Sequence, residues 1–121
     1  MSEYLVISTN VELVRTAAAD VVFVLADGNY STLMLAHGEQ RMVTLQLGQI
    51  EKLIEKQLTQ SGGDFIRIGK SLIINRQCIS YINIPKQQLT LYDGHNRNHT
   101  LTASKEALKQ LKAVIENDLK D

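Results

Sequence analysis

The chain has one cysteine, one proline and no surplus of charge of either sign. Cys78 has no partner, so no internal disulfide can form. Beside Ile79 in an apolar run, it reads as a buried, inert thiol. No apolar stretch approaches the roughly 20 residues that a membrane-spanning helix needs. The opening MSEYLVIS lacks the basic start and small-residue cleavage site of a signal peptide, so a cytoplasmic protein is expected. The 13 Lys and Arg cancel the 13 Asp and Glu, which argues against indiscriminate binding of polyanions. A chain of 121 residues is expected to form one domain, 1–121, large enough to bury a core. No repeat, low-complexity tract or linker interrupts it.

Familiar catalytic and metal-binding patterns are also missing. Gly69-Lys70-Ser71 invites comparison with a phosphate-binding loop, but that loop needs four residues before its Gly-Lys-Ser and a helix after it. Here five residues separate Gly63 from Gly69, and Leu72-Ile73-Ile74 continues as strand. Without a helix N-terminus there is no dipole to hold phosphate. His95 and His99 would lie about 13 Å apart along a strand, from about 3.3 Å per residue. They cannot share one ion locally, and no cysteine pair or carboxylate cluster joins them. With Arg97 they are expected on one face of the strand, extending a positive surface. No nucleophile, base and orienting group announce themselves. Neither an enzyme nor a metal, a cofactor or a small-molecule substrate is expected.

The neutral total conceals a polarised chain. Residues 1–66 carry four basic and eight acidic side chains, residues 67–112 eight basic and two acidic, and residues 113–121 one basic and three acidic. The middle-to-late section can therefore build one positive face.

The element pattern is β-rich. Strands are predicted at Tyr4–Ser8, Val11–Arg15, Asp20–Leu25, Tyr30–Leu35 and Met42–Thr44. Asp27-Gly28-Asn29 is a turn signal that should pair the third and fourth of these as a hairpin. Residues 46–59 are helical, with Leu47, Ile50, Leu53, Ile54 and Leu58 on one face. Ser61-Gly62-Gly63 suits a left-handed cap after it. Further strands are predicted at Cys78–Ile84, Gln88–Tyr92 and His95–Leu101, with Pro85 separating the first two. A last helix runs from Ser104, its N-cap, to about Asn117. Glu106 complements its first turn, and Leu108, Leu111, Val114 and Ile115 form its buried stripe.

The most informative stretch is Phe65 to Asn75, FIRIGKSLIIN. Two apolar strands flank the polar interruption Gly69-Lys70-Ser71. A bend that lifts a lysine and a serine off a stiff sheet presents donors to something flat and anionic. Asn29-Tyr30-Ser31 sits just past the tight turn. Turn chemistry alone explains Asn29, and Tyr30 fits core or hairpin packing.

Taken together, four pieces resemble the LytTR family of bacterial DNA-binding domains. They are DVVFVLADGNYS (20–31), the leucine-bearing helix 46–59, Phe65 to Asn75 with Phe65, Arg67, Ser71 and Asn75 matching, and Thr102-Ala103-Ser104-Lys105 opening the last helix. The resemblance covers about residues 20–116. It implies a mainly β fold, multi-stranded antiparallel sheets with one internal and one C-terminal helix, that meets DNA through loops inserted in successive major grooves. Carried over by position, Ser31, Lys70 and Lys105 would face base edges. Asn29 and Tyr30 accompany Ser31, Lys109 would touch a phosphate, and Arg67 and Ser71 would support the loop or contact the backbone. Apart from that carry-over, Arg97 is expected, with Arg67 and Lys109, to face phosphates that set register. Gly69 stands where the family usually has His, and Lys70 and Lys105 where it usually has Arg. Lysine keeps the charge but loses the planar fork that grips guanine. The expectation is a stand-alone transcriptional regulator of double-stranded DNA. The resemblance leaves room for a dimer on paired direct repeats and for a regulatory protein partner, a membrane protein among the candidates. The alternative is a protein-interaction or signalling module on the same fold.

Overall fold

The computed structural model describes residues 3–95 and 97–119; Asn96, inside the predicted run His95–Leu101, and the tail residues Lys120 and Asp121 lie outside them. The chain opens with an antiparallel hairpin, β1 (Tyr4–Ser8) and β2 (Leu13–Ala17). β2 begins two residues later than predicted. The Thr9 hydroxyl accepts the N–H groups of Val11 and Glu12, which commits Val11 to the turn.

A five-stranded antiparallel sheet contains β3 (Val21–Asp27), β4 (Tyr30–Leu35), β5 (Gln40–Val43), β6 (Phe65–Ile68) and β7 (Leu72–Asn75), in the order β5-β4-β3-β7-β6. The helix α1 (Leu47–Gln57) connects β5 to the β6–β7 hairpin. A three-stranded antiparallel sheet follows, β10-β9-β8, from β8 (Ile79–Asn83), β9 (Gln88–Tyr92) and β10 (Asn98–Thr102). The helix α2 (Lys105–Asn117) closes the described chain. This is the mainly β architecture with one internal and one C-terminal helix that was expected.

The five-stranded sheet is covered on both faces. On one side Leu5, Ile7 and Val14 of the first hairpin and Leu47, Ile50 and Ile54 of α1 pack on Val24, Leu33, Val43 and Ile73. On the other, Leu89, Leu91, Leu108 and Leu111 pack on Phe23, Leu72 and Ile74. β3 sits at the centre, which explains its unbroken apolar start, since a strand buried on both faces needs no polar alternation. A register irregularity between Val21 and Phe23 lets Val22 and Phe23 both join the second core.

Three details depart from the sequence reading. α1 ends on Leu58 (φ −102°, ψ 74°), whose N–H bonds Ile54 O, so no left-handed glycine caps it. Gly62 and Gly63 are absent from the positive-φ glycines, which are Gly28, Gly38, Gly69 and Gly94. Cys78 lies half-buried in a 3-10 turn, Arg76–Cys78, rather than in β8, because the Asn75 side chain accepts the Gln77 N–H and starts the turn. Val114 is exposed, so the buried stripe of α2 rests on Leu108 and Leu111.

Candidate nucleic-acid interface

β3 runs antiparallel to both β4 and β7, so the β3–β4 turn and the β6–β7 bend emerge at the same end of the sheet. The Ala26 N–H donates to Ser71 O at 2.8 Å and ties the two together. In the β3–β4 turn Gly28 and Asn29 are the only residues between the paired Asp27 and Tyr30. Gly28 supplies the positive φ (+65°) that the tight turn needs. The start of α1 arrives at the same end. Gln49 accepts the Gln46 N–H at 2.8 Å, and the Gln46 carboxamide donates to Asn29 Oδ1 at 3.4 Å.

The β6–β7 bend is a three-residue loop, Gly69-Lys70-Ser71, between the paired Ile68 and Leu72. Gly69 takes φ +61°, and a Cβ there would meet no atom within 4 Å, so conformation rather than space favours glycine. Strand alternation carries Ile66 and Ile68 into the second core and sends Arg67 to the α1 side. There Arg67 donates from Nε to Gly69 O at 2.9 Å, from Nη1 to Glu51 Oε1 at 3.0 Å and from Nη2 to Lys70 O at 3.4 Å. Arg67 therefore holds the backbone of the bend. Lys70 and Ser71 are exposed.

The start of α2 adjoins this bend. A surface cleft of about 270 Å³ is lined by Ile68, Gly69, Ser71 and Leu72 on one side and by Thr102, Ala103, Ser104 and Ala107 on the other. Ser104 Oγ accepts the Ala107 N–H at 3.1 Å and caps the helix. Lys105 and Lys109 are exposed one helical turn apart, with about 6 Å of rise between them. Lys112, by contrast, pairs with Glu116 at 2.9 Å. Among the described residues Lys70, Lys105 and Lys109 form no ion pair. Asp27 and Glu106 belong to the same end, so the charge there is mixed.

Two expected contacts are placed elsewhere. Ser31 is fully buried, and its hydroxyl donates to Leu45 O at 2.8 Å. It braces β4 against the approach to α1 and has no surface to offer a base edge. Arg97 precedes β10, at the far end of that strand from Lys105, and five strand residues span about 16 Å. Its guanidinium packs against Gly38, where an added Cβ would come within 2.6 Å of Nε. The idea of His95, Arg97 and His99 sharing one strand face also fails. Asp93 Oδ1 accepts the N–H groups of His95 and Arg97 and folds them into a loop. The His95 ring stacks on His37 with centroids 3.8 Å apart, while His99 packs edge-on against Phe23.

Asn29 and Tyr30 are exposed at the Lys70 end of the sheet. Glu51 and Gln46, which brace the loops, went unrecognised in the sequence. Both sit in an amphipathic helix pattern where a polar residue reads as solvated surface. No group of three His, Cys, Asp or Glu among the described residues is placed to hold a metal ion. No described helix is long and apolar enough to cross a membrane.

A twisted antiparallel sheet that gathers two hairpin turns and a helix start at one end, with unpaired lysines on them, has the form of a loop-presenting binding domain. Residues 12–116 match the LytTr DNA-binding domain family, and the chain belongs to it. Its fold is similar to the LytTr DNA-binding domain of a Bacillus cereus protein described as a methyl-accepting/DNA response regulator, with a TM-score of 0.64 and 14% identity over 93% of this chain and 96% of that one. At that identity the likeness speaks to fold alone. No curated protein matches the chain.

Proposed function

We propose that the protein is a stand-alone bacterial transcriptional regulator, acting in the cytoplasm, that binds duplex DNA by inserting the loops at the Lys70 end of its sheet into successive major grooves. The observation that carries this reading is the convergence of the Gly69–Ser71 bend, the start of α2 and the Gly28–Tyr30 turn in a member of a DNA-binding family. Lys70 and Lys105 are assigned to base edges. Asn29 and Tyr30 flank them, Lys109 meets a phosphate one turn along α2, and Arg67 and Ser71 shape the bend. Contacts to phosphates make log K fall linearly with log salt, and Lys109 contributes roughly −1 to that slope. Two copies on paired direct repeats, and a regulatory protein partner, are compatible with this role.

A second reading, a protein-interaction module on the same fold, is favoured by one feature. Met42, Thr32 and Leu25 lie opposite one another across β5, β4 and β3. Met42 is 55% and Leu25 42% exposed, with Tyr30 nearby at 46%. Selection of bound duplexes from a random pool at fixed salt separates the two. Recovery of a defined sequence supports DNA reading, and failure to enrich any sequence supports the module.

A further inference from the structure

We infer that Glu51 of α1, acting through Arg67, is a positioning residue that fixes the Gly69–Ser71 bend, so that an acidic side chain strengthens binding to a specific duplex. The inference rests on the proposed DNA-binding function and assigns a role to a residue that carries the wrong charge for touching DNA.

Arg67 donates to two successive carbonyls of the bend, Gly69 O at 2.9 Å and Lys70 O at 3.4 Å. A three-residue loop that opens on a glycine would otherwise sample several conformations. The guanidinium can hold both carbonyls only while its plane is fixed. Glu51 does this from the helix side, accepting Nη1 at 3.0 Å. The Glu51 side chain is 38% exposed and that of Arg67 29%, so the pair is partly shielded from water and from salt. Three of the five guanidinium N–H groups are thereby engaged within the protein. The chain from α1 to the bend therefore runs Glu51, Arg67, then the carbonyls that bracket Lys70. Fixing a contact residue before binding removes an ordering cost from association.

The consequence has a sign opposite to simple electrostatics. An acid near a DNA-facing surface repels phosphate, and deleting it should strengthen binding to any duplex. The clamp predicts that Glu51→Ala weakens binding to the selected duplex by about tenfold, within the range of one lost base contact. Binding to unrelated duplex should not fall, because that depends on charge rather than on the placement of Lys70. Alanine is a good helix former, so α1 should persist in this variant.

The test compares the parent, Glu51→Ala, Arg67→Ala and the double variant, each as the full chain, on the selected and an unrelated duplex. In the same proteins, NMR order parameters are measured for the Lys70 and Ser71 amides. The inference expects Glu51→Ala and Arg67→Ala to lose affinity only for the selected duplex and the bend amides to become more mobile. It also expects Glu51→Ala to have no further effect once Arg67 is gone. Glu51→Ala binding the selected duplex as tightly as the parent, or unchanged bend amides, overturns it while leaving the DNA-binding reading intact. A parent that binds no duplex overturns that reading and this inference with it.

Discussion

Replacing Asn75 with alanine is expected to cost stability without touching the DNA-facing end. Asn75 closes β7 at the end of the sheet away from the Lys70 bend. It is 4% exposed. Its Nδ2 donates to Val21 O at 3.0 Å, and its Oδ1 accepts the Gln77 N–H at 3.0 Å. One carboxamide thus joins the exit of β7 to the start of the central strand β3 and starts the 3-10 turn. Alanine removes both bonds and strands a carbonyl with little access to water. Each net bond contributes about 1 kcal/mol, and an unsatisfied buried partner adds to the loss, so a destabilisation of about 2–4 kcal/mol is expected. That is a large share of the roughly 5–15 kcal/mol that holds a domain folded. Urea unfolding should show the midpoint falling by about 1–2 M with an unchanged slope. Asn75→Asp should do no better at neutral pH, since it places a carboxylate against the Val21 carbonyl oxygen. A loss of less than about 0.5 kcal/mol for Asn75→Ala, the size of an ordinary surface change, would refute the reasoning.

Acid should unfold the protein partly through two carboxylates. The Ser61 hydroxyl and N–H, with the Gln60 N–H and the Thr59 hydroxyl, hold Glu3 below the ordinary carboxylate range. Burial pushes Asp93 up, but the N–H groups of His95, Arg97 and His37 and the His95 charge outweigh it and leave it lowered. Both groups bind protons less readily folded than unfolded. Their stabilisation is therefore complete above the ordinary carboxylate range and is lost as pH falls through the lowered folded values. Glu3→Gln should flatten that acid limb of the urea midpoint against pH, and an unchanged limb would contradict its role. Burial, with the Asp93 charge adding to it, raises the Cys78 pKa. Its thiol should react with a disulfide reagent at neutral pH far more slowly in the folded than in the urea-unfolded chain, and equal rates would count against this.

The elements that were legible in the sequence are those set by local chemistry. Asp27-Gly28-Asn29 predicted the β3–β4 hairpin because only a residue tolerant of positive φ fits such a turn. The apolar spacing from Leu47 to Leu58 predicted α1, and Ser104 marked the start of α2. What was hidden depends on partners distant in the chain. Nothing local to Ser31 says that Leu45 O will accept a hydrogen bond from its hydroxyl. Arg97 looked like a strand residue because the Asp93 carboxylate that folds its backbone into a loop acts four residues away. The Glu51–Arg67 pair spans sixteen residues, and only the packing of α1 beside β6 and β7 brings it together.

The most direct measurement of the central claim is fluorescence anisotropy on a duplex selected by the parent chain, at several salt concentrations, for the parent, Lys70→Ala, Lys105→Ala and Arg15→Ala. Lys70→Ala and Lys105→Ala should each lose about 1–3 kcal/mol on that duplex, with affinity falling steeply in salt. Arg15→Ala, on the first hairpin beside Leu35 and His37 at the opposite end of the sheet, should bind nearly as the parent does. Undiminished affinity in both Lys70→Ala and Lys105→Ala would contradict the placement of the DNA-reading surface at this end of the sheet.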